Sequence, residues 1–198
     1  MAENFIINNY QPSVPIIKGN VRILRPIEYE ILRSLANYEK TTLMDCHLLT
    51  GMRYEELLRF RKHPEWWDEK QLIFLPEWAQ KKWMRKQKQR VIRLSIKGGA
   101  TIPHLFRIKM PQRTAYDQWL RRISLKAWQM YGLRPDGISS KSFRKTYESW
   151  LMFYYPNHVE EIYLSQGHDK LTSLAFYSNP AFYESDKLAM KPYVEGWI

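Results

Sequence analysis

Four separated positions in the chain carry side chains whose type and setting suit work on an anion. Arg53 lies in Thr50-Gly51-Met52-Arg53-Tyr54-Glu55-Glu56-Leu57-Leu58. A glycine turn there delivers the arginine to the start of a helix whose other face is leucine, so its planar fork can reach an anion just beyond the helix end. Lys141 and Arg144 in Lys141-Ser142-Phe143-Arg144 stand three apart, hence on one face of a helix capped by Ser139 or Ser140. Phe143, Tyr147, Trp150 and Leu151 fill the buried side of that helix. His168 follows a second glycine turn, Gln166-Gly167-His168, and Tyr177 comes nine residues later, at the end of a short helical segment 170–176. Each has an ordinary reading beside the chemical one. Arg53 alone reads as a surface arginine, and Tyr177 alone as one core or surface aromatic among 13 tyrosines.

Charge narrows the kind of anion. The 198 residues carry 31 Lys and Arg against 20 Asp and Glu, a net charge of +11. The excess is local: residues 79–126 hold fourteen Lys or Arg and a single acid, Asp117. Lys81, Lys82, Arg85, Lys86, Lys88, Arg90 and Arg93 fall within thirteen residues with no acid among them. So unbalanced a patch repels itself unless a polyanion neutralises it, which points to nucleic acid, with most of these cations positioning the phosphate backbone rather than reading bases. Charge alone does not separate DNA from RNA, or binding from catalysis.

The elements that must position these residues follow from periodicity. Residues 1–22, with Pro12, Pro15 and Gly19, read as an arm or irregular lead-in. Helices are expected from Pro26, from about Thr41 to Leu49 with a stop at Thr50-Gly51, and from Arg53 to Pro64. Residues 71–75 and 90–95 read as strands, the second alternating with period two, and the charged stretch 81–89 falls between them as a basic hairpin. Helical period returns at 112–131, 139–155, 158–166 and 170–178, and the tail 179–198 holds a last helix at 185–195. The expected fold is mostly α, α+β: helices around a small antiparallel sheet. With 44% hydrophobic residues the chain can fill a core, no apolar run is long enough to span a membrane, and no secretory signal pattern opens it, so a cytosolic, nucleoid-associated protein is expected. Cys46 cannot form an internal disulfide and lies in an apolar run as plain core; no Cys/His cluster has the spacing of a metal site.

Order and spacing add what the single motifs lack. The series TGMRYEELL, a basic hairpin ending QRVIRLS, KSFRKTYESWLM and LSQGHDKLTSLAFY resembles the catalytic domain of the tyrosine recombinases, the phage-type integrases and their relatives. That family carries an arginine after a Thr-Gly turn, a hairpin lysine, His-x-x-Arg on a helix, Leu-Gly-His, and a nucleophilic tyrosine about nine residues on. The resemblance covers residues 23–198, tail included. It implies attack of a tyrosine oxygen on a DNA phosphodiester to give a 3′-phosphotyrosyl bond and a free 5′-hydroxyl, then reversal onto a second strand. By this likeness Tyr177 is the nucleophile, Arg53, Arg144 and His168 cradle the non-bridging oxygens without a metal or other cofactor, and a hairpin lysine protonates the leaving oxygen. Lys82, Lys86 and Lys88 compete for that last role, with Lys86 preferred for its place four residues before Arg90. The implied partners are double-stranded attachment sites and, in the synaptic complex, three further copies of the chain around two duplexes; the free protein is expected to be a monomer. The tail is as well placed to pack on its own domain as on a neighbouring protomer.

Three departures qualify the likeness. Lys141 stands where most relatives have the histidine of His-x-x-Arg, a pattern similar to archaeal virus and plasmid integrases, and Lys141 is the next candidate for the general acid. Gln166 replaces the leucine of Leu-Gly-His. The 22 residues before the resemblance are too few for the N-terminal clamp domain usual in the family, as in a truncated piece, a fragment or a natural short member. Two other readings compete: a DNA-binding module without catalysis, and a type IB topoisomerase-like enzyme. A metal-dependent nuclease or relaxase is disfavoured, since the sequence has no His-x-His motif or acidic metal cluster.

Overall fold

The structure, a computed structural model, describes residues 10–79, 89–167 and 181–198. Two short strands open it, β1 (Ile16–Lys18) and β2 (Val21–Ile23), paired antiparallel with Ile16 opposite Ile23. Asn20 and Gly19 take positive φ between them, the backbone that a two-residue hairpin turn requires. This pair stands where the sequence suggested an irregular lead-in. Three-residue strands are too short to show a period, and their stability comes from contacts distant in sequence. The backbone N–H of Arg22 donates to Gly137 at 2.9 Å, and its guanidinium meets the buried Glu28 at 2.5 Å.

Helix α1 (Pro26–Ser34) starts with proline in its first turn, where no N–H is needed. Helix α2 (Tyr38–Thr50) is capped by Asn37, whose side chain accepts from the N–H of Lys40, and Gly51 ends it at φ 57°. After the short α3 (Tyr54–Phe60), β3 (Leu72–Leu75) pairs antiparallel with β4 (Arg90–Arg93), Leu75 lying opposite Arg90. The expected pair of strands is therefore present; the charged stretch between them, and the helix expected at 170–178, fall largely or wholly outside the described residues.

Helix α4 (Ile96–Leu105) was not expected from the sequence, because Gly98, Gly99 and Pro103 all disfavour helix. Packing accounts for Gly99: a Cβ there would stand 2.6 Å from the carbonyl oxygen of Lys70. The remaining helices are α5 (Arg113–Tyr131), α6 (Ser140–Tyr154), α7 (Val159–Gln166) and α8 (Glu184–Val194), each within one or two residues of its expected bounds. Helix α6 forms the centre, with Phe143, Tyr147, Trp150 and Leu151 fully buried between α2 on one side and α8 on another. Cys46 is part of this core, and burial pushes its thiol well up.

Helix α8 packs against α1, α4 and α6. Tyr193 sets its ring edge-on to Tyr29 and Trp150, with centroids 5.6 Å and 5.4 Å away. Arg25 ion-pairs with Asp186, donates to the carbonyl of Ala181 at 2.6 Å and lies over the ring of Tyr183. No described helix is long and apolar enough to cross a membrane.

Candidate active site

Three element ends and the start of β4 meet around one carboxylate. At the end of α2 the Thr50 hydroxyl donates to the carbonyl of Cys46 at 2.8 Å, and Gly51 turns the chain in a left-handed conformation. Glycine is required there twice over, for the positive φ and because a Cβ would overlap the Gln166 side-chain amide at 2.3 Å. The turn sets Arg53 immediately before α3. Its N–H donates to Glu56 Oε2 at 2.9 Å and its guanidinium Nη1 to Glu56 Oε1 at 2.7 Å. The Glu56 side chain is 1% exposed and that of Arg53 27%, so the acid is interior and the arginine reaches the surface.

Arg90 approaches the same acid from β4, donating from Nη2 to Glu56 Oε2 at 2.7 Å with only 6% of its side chain exposed. Arg144 completes the ring from α6. It donates from Nη1 to the carbonyl of Gly51 at 2.8 Å and from Nη2 to the carbonyl of Gln166. These carbonyls end α2 and α7, the negative poles of both helices, where a buried cation is favoured. Gly167 then turns the chain at φ 68°, and a Cβ on it would stand 2.6 Å from Arg90 Nη1.

Burial by itself would push the Glu56 carboxyl up, but Arg90, Arg144 and Arg53 outweigh it and hold the group at about 2. Burial brings Arg90 down to about 10, opposed by Glu56 and aided by Arg144 and Arg53, which leaves it charged at neutral pH. Two guanidiniums thus bind one carboxylate, and the charge of a third, Arg144, also acts on it. The excess positive charge, with the fork of Arg53 open to solvent, is suited to an anion with several oxygens. Next to the ring, His47 stacks on Phe143 at 5.0 Å, fully buried. Burial first, with the repulsion of Arg144 and Arg113 against the pull of the Met52 backbone and Asp117, lowers its imidazole to about 3, so it is neutral.

Arg144 and Arg53 therefore lie at one turn, Arg144 bonded to the carbonyl of Gly51 and Arg53 two residues further on. Lys141 is exposed in the first turn of α6, one turn before Lys145, whose ammonium donates to the carbonyl of Lys18 at 2.7 Å. Arg93 is exposed on β4 with its guanidinium 5.7 Å from the centre of the Trp197 ring. Arg90, expected among the DNA contacts, instead turns inward. The alternation of β4 already contained this, since Arg90 shares the face of the buried Ile92 while Val91 and Arg93 face out. His168, Tyr177, Lys81, Lys82, Arg85, Lys86 and Lys88 lie outside the described residues. Sequence reasoning missed Glu56. Its signal was an acid three residues after Arg53 at a helix start, the capping-box spacing, disguised by an arginine in the cap position.

No family model and no curated protein sequence matches the chain. Solved structures do. The chain superposes on the Tn1549 transposon integrase in complex with a circular intermediate DNA with a TM-score of 0.63 at 14% identity, over 93% of this chain and 67% of that one. Against the same integrase in complex with transposon right end DNA the TM-score is 0.61 at 15% identity, again over 93% and 67%. The described architecture, mostly helical with small antiparallel sheets, is thus an integrase-type catalytic fold.

Proposed function

We propose, with that integrase-type fold as the premise, that the chain is a tyrosine site-specific recombinase that cuts and rejoins DNA strands through a 3′-phosphotyrosyl intermediate. The observation that carries the reading is the ring around Glu56. Arg53 and Arg144, far apart in sequence, meet at the Gly51 turn: Arg144 donates to the carbonyls of Gly51 and Gln166, and Arg53, two residues after Gly51, bonds Glu56. The Tyr177 oxygen attacks the phosphorus and loses its proton, and the bond to the 5′-oxygen breaks. A lysine, Lys86 first and Lys141 next, protonates the leaving oxygen. The phosphotyrosyl bond keeps the energy of the broken one, so a second 5′-hydroxyl reverses the step. Arg53, Arg144 and His168 donate to the non-bridging oxygens, and donors fixed before the reaction lower the barrier without reorganisation. Double-stranded attachment sites are the substrate, four protomers act on two duplexes, and Lys81, Lys82, Arg85, Lys88 and Arg93 follow the phosphate backbone.

The test selects the attachment site and detects cleavage together. The protein is incubated with a library of duplexes of random sequence, each nicked so that a short 5′-hydroxyl fragment is lost after cleavage, and SDS-stable protein–DNA adducts are recovered and sequenced. Adducts that vanish in Tyr177→Phe while DNA binding persists support the assignment. Binding without adducts favours the non-catalytic module, and relaxation of supercoiled plasmid without strand exchange favours the topoisomerase-like alternative. Replacing the 5′-bridging oxygen by sulfur should rescue Lys86→Ala, since a thiolate leaves without a proton, and should not rescue Arg53→Ala.

A further inference from the structure

We infer that Arg90 is a positioning residue of this site, holding both the Arg53 carboxylate partner and the Gly167 turn in place, rather than a contact to DNA. The inference rests on the recombinase reading, and three observations carry it. First, Arg90 shares Glu56 with Arg53: Nη2 of Arg90 bonds Oε2 at 2.7 Å while Oε1 takes Arg53 Nη1 at 2.7 Å. One carboxylate bound on both oxygens by two rigid forks cannot rotate without breaking one of them, so Arg90 limits where the fork of Arg53 can sit. Second, the other edge of Arg90 abuts the turn before His168. Its Nη1 would be 2.6 Å from a Cβ on Gly167 and its Cδ 3.0 Å, so the guanidinium fills the space that any side chain at 167 would take. Third, the Arg90 side chain is withdrawn from solvent, with only 6% of it exposed. Its Nε and Nη1 are buried without hydrogen-bond partners among the described residues, a cost accepted to keep a charged plate between two catalytic elements.

Position in the chain extends the consequence. Arg90 is the first residue of β4, directly after the charged stretch that carries Lys86. One side chain thus joins the base of that stretch, the cap of α3 and the end of α7. Each of these carries a proposed catalytic group: Lys86, Arg53 and His168. A shift of about 1 Å in a reacting group costs on the order of 10²-fold in rate.

The experiment uses the full chain and a duplex selected from the adduct library. Arg90→Lys and Arg90→Met are compared with wild type for affinity, the salt dependence of affinity, and the rate of adduct formation at saturating DNA. Each variant should bind within about threefold of wild type with an unchanged salt slope and lose at least about tenfold in rate. The loss from Arg90→Met should shrink to under about threefold in an E56Q background, because the two act through one contact. A salt slope lowered by about one with the rate at saturation intact would make Arg90 a phosphate contact and overturn the proposal. A folded variant with wild-type rate and slope would reduce Arg90 to a structural residue and overturn it equally. If Arg90→Met does not fold, Arg90→Lys decides on the same readings. Absence of adducts with the wild-type chain would count against the recombinase function instead. The positioning claim then stands or falls on amide exchange, which in either Arg90 variant should quicken at Arg53 and Gly167 and not in the buried turns of α6.

Discussion

Arg53 and Arg144 carry the same charge but are held in different ways, and their replacements should fail differently. Arg53 is partly solvent-exposed and ends on a carboxylate that keeps Arg90 without it, so Arg53→Ala should cut the adduct-forming rate by about 10²-fold and shift melting little. Arg144 satisfies the carbonyls of Gly51 and Gln166 at two helix ends. Its removal orphans buried acceptors that each cost about 1–3 kcal/mol, so Arg144→Ala should lose both rate and several degrees of melting temperature. Equal melting losses in the two variants would show that this division is mistaken. Glu56 supplies a second prediction. Its folded value of about 2 lies below the roughly 4.3 of an unfolded glutamate, so its contribution is present above that value and is lost as pH falls toward 2. The difference corresponds to roughly 3 kcal/mol. Glu56→Gln should therefore flatten the stability profile between about pH 4.5 and pH 2, as read by denaturant titration.

Helices α2 and α6 meet through His47 and Phe143, and this contact carries its own pH signature. A histidine held neutral at about 3 when folded, against about 6.5 unfolded, leaves the unfolded chain to bind the extra proton between those values. Stability should be full above about pH 6.5 and decline as pH falls through the window. His47→Phe, which keeps a ring against Phe143, should remove the part of the decline that lies above about pH 4.5, where few carboxylates titrate. An unchanged slope in that variant would place the proton uptake elsewhere. The elements also show where periodicity reads well and where it does not. Helices α5 and α6 announced themselves through apolar faces sustained over several turns. Helix α4 did not, because Gly99 answers to the approach of the Lys70 backbone and the helix as a whole to packing against α2, which local propensity does not encode. Glu56 was hidden for a similar reason: its partners come from β4 and from its own helix cap, and only one of them is near in sequence.

Across the molecule the charge is divided by function. Arg90 and Arg144 of the ring are interior and, with the partly exposed Arg53, are matched in part by Glu56, whereas most of the excess lies in residues 79–126. DNA binding should accordingly be steeply salt-dependent, with log affinity falling by about 0.9 per phosphate contact for each decade of salt. Six such contacts would cost about 10³-fold between 50 and 200 mM, measurable by fluorescence anisotropy, and a flat profile would exclude the basic segment as the main contact. What the sequence by itself determined is local: the helices long enough to show their period, the strands flanking the charged stretch, the turns at Gly51 and Gly167, and the two arginines set beside helix ends. Each depends on residues within a few positions of one another, where backbone preference and spacing act directly. The tertiary structure decided which way the side chains between these elements face. Arg90 could meet solvent or Glu56, and it meets Glu56 because β4 lies with its Ile92 face against the core and delivers the guanidinium to a buried carboxylate from a different part of the chain. A buried charge is tolerated only where a partner is already in place, and that partner is supplied by the packing of distant segments.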